Sequence, residues 1–443
     1  MTTPSQLRDR LVARGQSGRY TLFFNLGALL AVVGAALFGY AVTTGHAERA
    51  WHLFHVNWLF FTGITGGSVA LTAVHKLANA KWSGVIIRFA EAHVFFGLVS
   101  LAGLLVIFTF GYEPIYGHMR EQLHSLSHGK ALWLSKPVMF GRLLTGLALL
   151  FWVGWSLIRA DLVPDIDLAK GTVDDARKGL YERLTRGFDS SEPGRAAHGA
   201  KINRLAAVYL VLYALVFSIV AFDAIMALQP HWFSNLLGGW YFMGSFLGGY
   251  TCLALMMIYG GSHLGISDLV SPKQRHDLGK LCFGFTVFWA YLMWSQFLVI
   301  WYGNMPEETG FVFARIWGEW LPVGRAVFVG MFLVPFWGLL FVAAKKTPAI
   351  LGFFSLVSLT SLWLERYLLV LPSVTKEHGP VFGLPEIGPT LLMLGLFLFC
   401  YANFARRFPM ISPRLAEITL SIEQQHGHSA PAGDHGHPEE VGA

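Results

Sequence analysis

Eleven side chains that carry charge, exchange protons or hydrogen-bond strongly stand inside or at the ends of long apolar runs of this chain. Arg142, Asp223, Gln296, Arg325, Glu365 and Arg366 gather toward one end of those runs, and His75, Arg88, Glu91, His93 and His263 toward the other. A charge in hydrocarbon costs at least ~2.5–3.5 kcal/mol, so each of these groups is expected to face a protein interior and find a partner there. Arg142 with Asp223, and Arg325 with Glu365 beside Arg366, are the expected pairs of the first group. Arg88 and Glu91, three residues apart, share a helix face and can neutralise each other. Two chemistries fit such groups: proton exchange at a water-accessible depth, as in a proton path or a quinol head-group site, or buried ion pairs that fix helix geometry.

Metal chemistry has little footing. Cys252, Cys282 and Cys400 lie within apolar runs without paired spacing, so no iron–sulfur, zinc or CxxCH haem motif can be written. His75 and His93 are the one pair that could approach a haem axially, but the arrangement does not recur elsewhere in the chain. Any electrons passing nearby are therefore expected to use centres on other chains.

These groups must be held by membrane helices. Of 443 residues, 54% are hydrophobic and only 14% charged, too few polar groups to clothe a soluble globule of this size. Runs long enough to cross ~30 Å of hydrocarbon occur roughly at 20–43, 55–75, 84–110, 137–159, 205–227, 237–262, 279–302, 321–343, 348–371 and 386–405. Their continuity predicts an all-α integral membrane protein with ten transmembrane helices rather than a barrel. The first run is too long, and lacks the small-residue cleavage site, for a signal peptide. With both termini cytoplasmic, most of the 33 Lys and Arg fall on the inner side, which sets the orientation and accounts for the net charge of +6 without a nucleic-acid partner.

The segments outside the runs divide simply. Residues 1–19 form a cytoplasmic N-terminus, 20–410 the membrane domain, and 411–443 a cytoplasmic His-rich tail, whose stretch from Gln424, QQHGHSAPAGDHGHPEE, is read as disordered. The inner loop 160–204 contains DIDLAKGTVDDARKGLYERLTRGFD, whose spacing predicts a surface helix. The outer stretch SQFLVIWYGNMPEET (295–309) places Ser295 and Gln296 within a lipid-fit run and ends on Pro306, Glu307 and Glu308, a solvated helix stop. The aromatic residues that follow, Phe311, Phe313, Trp317 and Trp320, suit the outer interface.

The chain also resembles itself. WLFFTGITGGSVAL from Trp58 aligns with WYFMGSFLGGYTCL from Trp240, PVMFGR ending at Arg142 with PVGR ending at Arg325, and Asp223 and Glu365 each stand seven residues before a proline. The matches follow the same order, predicting two parallel four-helix bundles: spans 2–5 (about 55–227) and spans 6–9 (about 237–371), flanked by spans 1 and 10. The two Gly-Gly pairs, 66–67 and 248–249, are expected to serve close helix packing.

SQFLVIWYGNMPEET (295–309), FDAIMALQPHWF (222–233) and WLERYLLVLP (363–372) resemble the F subunit of alternative complex III, the bacterial quinol:cytochrome c oxidoreductase, within the polysulfide-reductase-type (NrfD-like) membrane family. The likeness spans most of residues 20–410 and omits the His-rich tail. It implies a non-catalytic subunit of the bacterial inner membrane, without cofactors of its own, that scaffolds the complex and conducts protons through half-channels. Its implied partners are a homologous membrane subunit and extrinsic subunits carrying iron–sulfur clusters and c-type haems, with menaquinol oxidised in the sibling. On that resemblance Asp223, Gln296, Glu365 and Arg366 are outer-side proton candidates, and Glu91 and His93 inner ones. Two rivals are a quinone-binding membrane anchor of a polysulfide-reductase-type molybdoenzyme and a secondary transporter. A quinone near Gln296 or Asp223 would favour the first, and helices broken at the bilayer centre the second.

Overall fold

The computed structural model describes residues 20–171, 173–264, 269–375, 379–416 and 418. The described chain is all-helical. Ten long helices follow in order: α1 (Thr21–Thr43), α2 (Ala47–Leu77), α3 (Ile87–Ser125), α4 (Lys136–Ala169), α5 (Glu192–Leu228), α6 (Leu236–Gly260), α7 (Pro272–Gly303), α8 (Gly318–Leu340), α9 (Pro348–Val374) and α10 (Leu384–Arg407). Among the described residues, nine of them, all but α2, are long and apolar enough to cross a membrane.

The exception has a physical reason. Every residue of α2 from Ala50 to Ala73 is buried by other helices, so its surface is not selected for lipid. It carries His52, His55, Asn57, Thr62, Thr65, Ser68 and Thr72 in that interval, polar groups that lipid would penalise and protein neighbours can satisfy. Helix α2 packs on α3, α5, α6, α9 and α10; α6 in turn packs on α7 and α9.

Small residues set the closest approach. The Tyr241 hydroxyl donates to Leu59 O across 2.9 Å, a methyl group on Gly63 would stand 2.7 Å from Ser245 Oγ, and one on Gly249 would stand 2.8 Å from Gly67 C. Each of these pairs keeps the offset that aligns Trp58 with Trp240, so α2 and α6 run parallel and touch counterpart to counterpart. A second tight seam joins α1 to α10, where a methyl on Gly27 would lie 2.6 Å from Phe399 N and one on Gly388 would lie 2.7 Å from Phe38 N.

Outside the long helices, the segment between α4 and α5 contains the expected surface helix, Asp175–Thr185, flanked by extensions of those two helices. The 304–317 segment does more than stop α7. Asn304 ends that helix in a left-handed conformation (φ 45°), and Pro306 then opens a new one, Pro306–Ile316, with Glu307 and Glu308 in the first turn where the helix dipole favours acids. The His-rich tail beyond 418 and residues 1–19 lie outside the described residues.

Substituting Gly67 by Leu forces α2 and α6 apart, because its Cβ would overlap the Ser245 carbonyl. We expect a loss of at least about 1–3 kcal/mol, read as a lowered unfolding midpoint in detergent. Gly39→Leu, at a glycine with nothing within 4 Å of its Cβ, is expected to leave the midpoint in place.

Candidate functional site

Two ionic clusters and one cavity hold seven of the eleven candidate residues. At the end where α2 stops and α3 begins, the Arg88 guanidinium bonds Glu91 on its own helix face and Asp165 at 2.5 Å, and stands 3.5 Å from Asp161. Lys76 pairs with Asp161 at 2.7 Å, and Arg414, which follows α10, reaches the same carboxylate at 3.0 Å. Three cations (Lys76, Arg88, Arg414) thus face three acids (Glu91, Asp161, Asp165), and both Arg88 and Glu91 are fully buried. Asp161 and Asp165 meet Arg88 together because α4 continues past residue 159 and their four-residue spacing puts them on one face. Glu91 Oε1 and Asp165 Oδ1 have no protein hydrogen-bond partner. A cleft of about 380 Å³, lined by Lys76, Asn79, Lys81, Asp161, Asn203 and Arg414, reaches this cluster from the surface.

The histidines expected nearby are held apart by α6. His75 Nε2 lies 3.2 Å from the Tyr250 hydroxyl, while His93 stacks on Phe397 and meets Cys252 Sγ at 3.5 Å. The two rings thus sit against different residues of α6. The His263 side chain lies outside the described residues.

At the opposite end, Arg142 clamps Asp223 through two bonds, Nε to Oδ2 at 2.9 Å and Nη2 to Oδ1 at 2.6 Å, with its guanidinium 3.6 Å above the Trp133 ring. Asp223 is fully buried. Beside it, His55 Nε2 lies 2.7 Å from Ala224 O. Arg142 and Asp165 mark the two ends of α4, about 35 Å apart at the helical rise of 1.5 Å per residue, close to the thickness of bilayer hydrocarbon.

The second expected pair does not form. Arg366, not Arg325, holds Glu365, at 2.7 Å, and Trp289 Nε1 donates to the other carboxylate oxygen at 2.9 Å. Arg366 can do this because α6 receives the rest of it: its guanidinium lies 4.3 Å over the Tyr241 ring and donates to Tyr241 O at 3.3 Å. Arg325 stays exposed.

Arg325 and Glu365 instead line one cavity of about 470 Å³ between α7, α8, α9 and the short helix Pro306–Ile316. Its wall is apolar except for Gln296, Arg315, Arg325 and Glu365. Gln296, 8% exposed, accepts weakly from Ser234 at 3.3 Å. Arg315, only 4% exposed, was no candidate from the sequence: it donates to Leu369 O at 2.7 Å and Ser373 Oγ at 2.6 Å and lies over Phe311. Burial pushes its guanidinium well below the usual arginine range.

Lys76, Asp161, Asp165 and Arg414 were also missed. The Asp-x-x-x-Asp spacing was the available signal, hidden by ending span four at 159. Fold and site together define an all-α, multi-pass membrane protein. Comparison with family models and with curated proteins gives no match.

Removing one acid from the Arg88 cluster leaves three cations facing two carboxylates in a buried site. Asp165→Ala is expected to cost about 3–5 kcal/mol, measured as a lower unfolding midpoint and reduced yield of folded protein. The exposed pair Arg120–Glu113 is the control: Arg120→Gln is expected to change neither.

Proposed function

We propose that this chain is an integral subunit of a quinol:cytochrome c oxidoreductase of the alternative complex III type, redox-silent itself, which scaffolds the assembly and conducts protons. The observation that carries the proton part is the pair of buried ionic clusters at the two ends of α4, the inner one reached by a polar cleft. Between them, along α2, a line of buried hydroxyls runs from His55 to His75: Thr62, Thr65, Ser68 and Thr72, at steps of three or four residues. Thr62 donates to Ser100 Oγ at 3.0 Å, whereas the buried Thr65 Oγ1 and Ser68 Oγ have no protein partner, the condition in which an internal water would join them. Hydroxyls joined by water can relay protons through a region where an ion would be costly.

On this reading α2 is the tenth span. Helices α2–α5 and α6–α9 are duplicated four-helix bundles in parallel orientation, with α1 and α10 as a flanking pair. The parallel counterpart contacts of α2 with α6, and the pairing of α1 with α10, support that arrangement. Both termini are cytoplasmic, which puts the Arg88 cluster inside and the Arg142–Asp223 pair outside. The exposed aromatic residues of the 301–317 stretch, Trp301, Tyr302, Phe313 and Trp317, then offer the outer surface to extrinsic iron–sulfur and cytochrome c subunits.

Two measurements test this reading. Mild purification from the native membrane is expected to bring a homologous membrane subunit and chains bearing iron–sulfur and c-type haem centres; isolation with no redox partner would sink the assignment. In that assembly, Thr65→Val with Ser68→Ala is expected to slow proton release per electron by about tenfold or more while quinol oxidation continues. Proton release unchanged in a fully assembled variant would remove the conduction role.

A further inference from the structure

The cavity between α7, α8 and α9 has no part in the proposed proton route, yet its composition is selective. Among the described residues, neither Arg315 nor Arg325 pairs with a carboxylate, although both line it. The one acid on its wall, Glu365, is already neutralised by Arg366 and bonded by Trp289. Two guanidinium groups therefore give the cavity a net positive wall. Arg315 is buried, with both terminal nitrogens committed to protein oxygens and Nε unpartnered. A buried cation whose only partners are neutral oxygens is costly unless an anion lies near it.

The rest of the cavity is apolar, and its flank is formed by Trp294, Phe328 and Val329, all exposed on the sides of α7 and α8 that face away from the protein interior. In a membrane that flank faces hydrocarbon, so a ligand enters sideways from the bilayer. The volume of about 470 Å³ lies within the range of ligand pockets, which are mostly apolar with a few convergent polar groups.

We propose that this cavity binds an amphiphile with an anionic head group, a phosphate or carboxylate, seated at Arg315 and Arg325 with its chain along the apolar wall. Arg325, at the exposed edge, meets the head group first, and Arg315 supplies the second charge from the buried side. A neutral head group such as a quinone could bond Gln296 but would leave both arginines uncompensated.

Native mass spectrometry of the full chain in neutral detergent tests the site, independently of any partner subunit. Phosphatidylglycerol, oleate, phosphatidylcholine and inorganic phosphate are titrated in turn. Phosphatidylglycerol is expected to bind at one saturable site, and Arg325→Gln to weaken it about tenfold or more, the loss expected for one charge-assisted hydrogen bond. Val329→Trp, at an exposed position that would fill the mouth, is expected to abolish binding with both arginines intact, so the result does not depend on Arg315 variants folding. Oleate binding at the same site assigns a general anionic head group, and its failure narrows the ligand to phosphate lipids. Competition by inorganic phosphate locates the recognition in the head group. Phosphatidylcholine binding as tightly as phosphatidylglycerol, binding unaffected by Arg325→Gln, or displacement of the lipid by a short-chain quinone at equal concentration would each overturn the proposal.

Discussion

The close passage of α2 against α6 is the constraint on which the remaining architecture depends. Glycines at 63, 67 and 249 let two backbones meet where side chains would hold them apart, and that approach encloses α2 on every side. Enclosure changes the rules for its sequence. A helix facing lipid must be apolar around its circumference, but one facing only protein can present histidines, an asparagine and a row of hydroxyls, provided that neighbours satisfy them. The Trp58 indole and Thr62 both bond Ser100 on α3, and Tyr209 and Tyr241 donate to backbone carbonyls of α2. The polar interior is thus a product of the packing and not an exception to it.

Charge neutrality is the second constraint, and it is met locally at each end. The bidentate Arg142–Asp223 pair balances one end of α4, and three cations against three acids balance the other. Such clusters are weak sources of net stability, because desolvation offsets most of the attraction. What they do is tie elements together: α2, α3, α4 and the segment after α10 all meet at the Arg88 cluster through these pairs.

Much of this was legible from the chain, and the failures have identifiable causes. The Arg142–Asp223 pair and the Arg88–Glu91 pair followed from the rule that charges in hydrocarbon need partners, combined with depth along predicted helices. Carrying the first pair over to Arg325 and Glu365 failed because a nearer cation, Arg366, stands beside that acid. Arg366 adjoins Glu365, and α6 offers it a carbonyl and an aromatic ring. Asp161 and Asp165 were lost because a hydropathy reading stops at the first charges, whereas a helix continues through them when they are paired. His52 disappeared for a related reason, since α2 begins at Ala47 and not near 55. The cavity holding Arg315 had no local signature at all. It exists because Pro306–Ile316 folds back over the ends of α7 and α9, a long-range arrangement that no short motif encodes.

The position of Arg414 bears on how the chain is made. Asp161 and Asp165 leave the ribosome some 250 residues before the arginine that completes their neutralisation, and α1 must likewise wait for α10 before its glycine-lined face is covered. Until then the growing protein holds an excess negative charge at the membrane edge and an unmated helix. Translation order therefore leaves closure to α10 and the residues just after it, and a chain arrested before Arg414 would keep three acids facing two cations at that site.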